Sequence, residues 1–97
     1  MKKPKTRPFD VANHLRTAAD RAAYLDAWLE DAPEDVAGVA RALGDIARAA
    51  GMAQVAQDAG LSRESLCRAL SDRGNPSLAT VLKVTKALGL RPQAVAV

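Results

Sequence analysis

Aromatic residues are scarce in this chain: one Phe, one Tyr and one Trp (Phe9, Tyr24 and Trp28) in 97 residues. Cysteine and histidine each occur once, as Cys67 and His14. A single cysteine excludes an internal disulfide framework and suits a reducing compartment. His14 and Cys67 lie about fifty positions apart without metal-ligand spacing, and nothing near Cys67 would serve as its base. His14 is expected as a surface or interface residue, and no metal site or nucleophilic pair is expected. Gly38, Gly44 and Gly51 stand alone within or after a helical pattern, so a glycine-rich phosphate loop is missing. No apolar run approaches the roughly 20 residues that span a bilayer, and the Lys-rich start leads into no apolar signal core. Val and Ile never alternate with polar residues over a strand length. These absences argue against an enzyme, a metalloprotein, a cofactor carrier and a membrane protein. A cytoplasmic all-α protein is expected.

What is present is alanine, leucine and a segregated charge. The length fits one domain with a modest, Ala-rich core, which makes dimerisation a reasonable way to bury more surface. The net charge of +3 conceals three zones. Residues 1–17 carry Lys2, Lys3, Lys5, Arg7 and Arg16 against Asp10. Residues 18–35 carry Asp20, Asp26, Glu30, Asp31, Glu34 and Asp35 against Arg21. From Val36 onward eight Lys and Arg face four Asp and Glu. One face for a polyanion and another for a different partner is one reading; three solvated faces is the other.

Residues 1–8, with two prolines and no core residue, read as a flexible basic arm. Residues 9–32 form a leader, in which Phe9, Val11 and Leu15 tie the chain to the body. Thr17 and Asp20 have capping-box spacing, and Tyr24, Leu25, Trp28 and Leu29 share one side of the helix that follows. Pro33 starts a new segment. Val36, Val39, Ala40, Leu43, Ile46, Ala47 and Ala50 then recur at helical steps, closed by Gly51. A helix over 52–59, a turn at Gly60, Leu61 and Ser62, and a helix from Arg63 to Leu70 follow. Two short helices joined by a glycine-containing turn make the helix-turn-helix pattern. Val55, Ala56 and Ala59 form the inward stripe of the first, and Leu66, Ala69 and Leu70 that of the second. Gly74, Asn75 and Pro76 make a turn, Ser77 caps a last helix through Leu88, and Gly89 ends it. Residues 92–97 are a tail, in which 94–97 could fray or pair as an edge strand.

In such a pattern the second helix lies in the major groove of DNA with its N-terminal residues at base edges. Its outward set is Arg63, Glu64, Cys67, Arg68 and Ser71, with Ser62 and Ser65 at its start. Arg63 and Arg68 have the fork that grips guanine O6 and N7, worth about 1–3 kcal/mol of discrimination per pair. Glu64 either accepts from cytosine N4 or pairs with Arg68 at i+4. Gln54, in the first turn of the leading helix, and Asn75, in the following turn, suit phosphates; local capping and turn formation are the alternative for both.

The stretch from Ala42-Leu43-Gly44-Asp45-Ile46 through Gln54-Val55-Ala56, with Gly60-Leu61-Ser62-Arg63-Glu64-Ser65-Leu66, Gly74-Asn75-Pro76-Ser77-Leu78 and Lys86-Ala87-Leu88-Gly89, resembles the Xre/Cro-type repressor domain. With Phe9, Asp10, Leu15, Tyr24 and Leu25 in the leader, it resembles more narrowly the HigA-like antitoxins of addiction modules, encoded beside RelE/ParE-type toxins. The resemblance covers most of the chain. It implies a five-helix, all-α fold: a lambda-repressor-like helix-turn-helix domain over 33–91 with an N-terminal leader helix. It implies a homodimer on a palindromic operator of double-stranded DNA in its own promoter, and a cognate toxin that cleaves mRNA. It places Gln54, Ser62, Arg63, Ser65 and Arg68 on DNA. Two positions depart from the pattern: Ala53 replaces the serine that usually caps the leading helix, and Cys67 replaces an aromatic residue. A stand-alone repressor, its leader serving only to dimerise, is the competing expectation; a purely protein-binding helix-turn-helix fits the outward arginines less well.

Overall fold

The computed structural model describes residues 15–71 and 74–96. The basic arm, Phe9, Val11 and His14 lie outside the described residues. Five helices follow one another: α1 (Ala18–Asp31), α2 (Val36–Ala50), α3 (Met52–Ala59), α4 (Arg63–Ala69) and α5 (Leu78–Ala87). No strand occurs among the described residues, and 91–96 are exposed coil.

Local chemistry sets each boundary. Thr17 and Asp20 form the expected capping box: the Thr17 Oγ1 accepts from the Asp20 amide at 3.0 Å, and the Asp20 carboxylate from the Thr17 amide at 3.4 Å. Pro33 and Glu34 make a turn before α2, whose start is fixed by Asp35: its carboxylate accepts from the Gly38 amide at 2.9 Å. Gly51, at φ +106°, is both the end of α2 and the start of α3, which has no side-chain cap. The helix thus begins from Gly51 without the hydroxyl acceptor that a serine at position 53 is expected to bring. Gly60, at φ +73°, closes α3 in a Schellman motif: its amide donates to the Gln57 carbonyl at 3.1 Å and the Leu61 amide to the Ala56 carbonyl at 2.9 Å. Ser62 and Ser77 cap α4 and α5 through the amides of Ser65 (3.0 Å) and Thr80 (3.1 Å).

The core gathers one stripe from each of the last four helices and one residue ahead of α1. Leu15, Leu43, Ile46, Leu66, Leu70 and Val84 are its largest fully buried side chains. Val55, Ala56 and Ala59 are buried where the spacing placed them. Helix α3 packs on α2, α4 and α5, and so sits at the centre. Two residues of the expected inward stripes are outside: Val36 is 53% exposed and Leu29 is 45% exposed. Periodicity fixes the face a side chain occupies, not whether a neighbouring helix reaches far enough to cover it.

Helix α1 contributes no buried residue and packs against α2 alone in force. Three half-buried side chains hold it there. Leu25 packs against the core cluster beside Tyr24. The Tyr24 hydroxyl donates to Asp45 at 2.8 Å, and the same carboxylate receives Arg48 at 2.7 Å. Burial first, and that hydrogen bond second, push the Tyr24 pKa above its ordinary value. The Trp28 ring lies so close over Gly38 that a Cβ there would come within 2.6 Å of it, and the Arg41 guanidinium stands 5.9 Å from the ring centroid.

Candidate nucleic-acid interface

Helix α4 is anchored from within by Leu66, fully buried, and by Leu70, its C-cap, with Ala69 half-buried beside them. That anchoring turns the rest of a seven-residue helix outward. All eight residues singled out from the sequence, Gln54, Ser62, Arg63, Glu64, Ser65, Cys67, Arg68 and Asn75, are exposed. The start of α4 is tightly organised: the Ser62 hydroxyl accepts from the Ser65 amide and donates to the Ser65 hydroxyl at 2.8 Å. Both serines are thus held beside Arg63 and Glu64 in the first turn, where four backbone amides lack intrahelical partners.

Three of the eight converge. Ser65, Arg68 and Asn75 line one open recess of about 410 Å³ between the end of α4 and the start of α5. Ser71, Ser77 and Thr80 complete its polar wall. These three were not placed together by sequence reasoning; Ser71 was read as outward on the helix and Ser77 only as a cap. Their signal is the density of hydroxyls across 62–80, which periodicity does not weigh. One guanidinium, one amide and several hydroxyls around a concavity make a donor-rich surface of the kind that meets phosphate oxygens.

Two of these side chains were open to local pairing as well as to DNA, and the structure shows which local pairs form. Among the described residues no ion pair joins Glu64 to Arg68, although i+4 spacing permits one; an exposed pair of this kind contributes only about 0–1 kcal/mol. Gln54 is committed locally, its Nε2 donating to Asp58 at 2.9 Å. That bond uses one of the two amide N–H donors and leaves the other for a phosphate. Cys67 is an exposed free thiol. Among the described residues no group of three or more His, Cys, Asp or Glu is arranged to hold a metal ion, and no helix is long and apolar enough to cross a membrane.

Fold and site together define a small helical protein that presents a polar, arginine-bearing helix to solvent on a compact apolar base. Residues 5–96 match the profile of a family described as "Probable addiction module antidote protein". The chain belongs to that family. It is also 49% identical over 87 residues to an uncharacterized protein of Haemophilus influenzae, an alignment covering 90% of this chain and 88% of the relative. No solved structure matches it significantly.

Proposed function

We propose that this chain is a DNA-binding antitoxin that neutralises a cognate RelE/ParE-type toxin and represses its own operon. The observation that carries the DNA-binding half is α4: Leu66 and Leu70 fix it to the core while Arg63, Glu64, Ser65, Cys67 and Arg68 all face water. With α3 and the turn through Gly60 it forms an Xre/Cro-type, lambda-repressor-like helix-turn-helix, and α4 enters the major groove. Arg63, nearest the N-terminus, reads a base, and Arg68 reaches a base or, with Ser65 and Asn75, a phosphate. Membership of the antidote family supports the toxin-neutralising half over a stand-alone repressor. The protein acts by binding and not by catalysis, in the cytoplasm, where both operator and toxin are.

The same reading includes a homodimer on a palindromic operator, with half-sites one helical turn or about 34 Å apart. On α5, Leu78 is 73% exposed and Leu82, one turn on, is also exposed, an apolar stripe that a second copy would cover.

The test has two arms. Co-expressed with the product of the neighbouring toxin-sized reading frame, the chain protects growth and co-purifies with it; a neighbour that stays toxic and unbound ends the antitoxin reading. In gel-shift titrations Arg63→Ala and Arg68→Ala each weaken operator binding, by about 1–3 kcal/mol at a base-contacting position. A phosphate contact instead lowers the log–log salt slope by about one. Wild-type affinity in both variants means that α4 is not the reading helix.

A further inference from the structure

Away from α4, a groove of about 510 Å³ runs between α1, α2, α5 and the tail. Its floor and walls include Leu25, Leu29, Val39, Val81, Leu90 and Val95, and most of its exposed surface is apolar. Leu29 is nearly half exposed there and Val95 is 76% exposed. Water on large aliphatic side chains in a concave surface is unfavourable, at about 25 cal/mol for each Å² left uncovered. A groove of this kind gains from an occupant.

The rim says what kind. Asp26 of α1 lines the groove, and Glu30 follows it one turn along the same face. Helix α1 holds Asp20, Asp26, Glu30 and Asp31 against Arg21, in a chain whose net charge is +3. Arg21 does not neutralise that rim, because its guanidinium is turned to the Leu15 and Arg16 carbonyls at 3.1 and 3.4 Å. Asp26 and Glu30 are in no ion pair among the described residues. Within the lining Arg91, at the tail edge, offsets Asp26, so the acidic excess lies on the α1 side alone, at Glu30 beyond the lining.

We infer that this groove is the docking surface for the toxin, which inserts a cationic segment with apolar anchors between α1 and the tail. The inference rests on the antitoxin reading and gives it a place on the molecule. An RNA-cleaving partner must carry positive charge to hold its substrate, so an apolar floor flanked on one side by the acidic α1 is complementary to it. A second copy is a poorer fit, since pairing through this face sets one acidic α1 against another. None of the eight residues of the DNA surface lines the groove. The groove and the DNA surface therefore share no residue.

The test uses the full chain, the purified toxin and an operator duplex. Leu29→Arg puts a charge on the floor, and Asp26→Arg inverts the rim while leaving the apolar surface alone. Both positions are exposed, and unchanged operator binding and melting temperature in each variant verify the fold. Each substitution is expected to weaken toxin binding by about tenfold or more, the scale of a disrupted interface charge or anchor. Wild-type binding is expected to weaken with salt more steeply than that of Asp26→Asn. If the wild type binds the toxin and both variants bind it equally well, the groove assignment is overturned while the antitoxin reading stands. If the wild type itself fails to bind, the antitoxin reading falls. If the variants keep full toxin affinity but turn a dimer into a monomer, the groove belongs to a second copy and this inference is wrong.

Discussion

Tyr24 links a single side chain to the stability of the whole. It is the only tyrosine in the chain, so its ionisation can be followed by tyrosinate absorbance without interference. Burial and the Asp45 carboxylate hold the hydroxyl protonated, so its folded pKa lies above the unfolded value of about 10. A group with a raised folded pKa stabilises fully below its unfolded pKa and loses that stabilisation as pH rises through the folded one. Stability should therefore be insensitive to Tyr24 at neutral pH and fall above about pH 10, with a titration midpoint higher than that of the denatured chain. Equal midpoints in native and denatured protein would mean that the Tyr24–Asp45 bond does not persist in solution. At this scale the sequence was legible wherever a residue acts on its own backbone. Thr17, Ser62, Ser77 and Gly60 cap or turn as their chemistry predicts, because their partners lie within a few positions. Gln54 and Glu64 were harder, since an exposed side chain chooses among several partners of similar energy. Gln54 takes Asp58, and Glu64 does not take Arg68.

Among the elements, the joint between α1 and α2 depends on a position with no side chain. Gly38 is buried under the Trp28 ring and against the Asp35 carboxylate. Two effects compete in Gly38→Ala: alanine favours a helix interior over glycine by about 1 kcal/mol, whereas overpacking a tight contact costs about 1–3 kcal/mol. Here the carboxylate is pinned as the cap of α2 and cannot retreat without losing about 1 kcal/mol more. The clash should win, leaving the variant about 1–2 kcal/mol less stable in urea unfolding. The fluorescence of Trp28, the only tryptophan, should shift toward that of a solvent-exposed ring. A variant as stable as the wild type, with unshifted emission, would show that α1 is not seated on Gly38. The helices themselves were readable from apolar spacing and punctuation. Their mutual coverage was not, because the uncovered Leu29 and Val36 carry the same period as their buried neighbours. The same limit hid the groove, which no single segment encodes and which exists only once α1, α2, α5 and the tail are assembled.

Taken whole, the molecule joins two parts of opposite sign and unequal packing. The body, α2 to α5, is net basic and supplies nearly all the buried residues, with Leu15 the addition from ahead of α1; α1 is net acidic and supplies none. The charge zoning was visible in the sequence, and the fold gives it a location: acid along one edge of a groove, arginines on a separate helix. The packing contrast has a consequence in time. An element held by a few half-buried side chains opens without waiting for the core to melt. Amides in α1 should exchange with deuterium at least about tenfold faster than those in the middle of α2, and uniform protection across the two would refute it. Each brief opening offers a protease the acidic helix alone. A single cut there would leave a shorter, net basic body that still carries α4 and most of the core, so that the lifetime of one half of this molecule is set independently of the other.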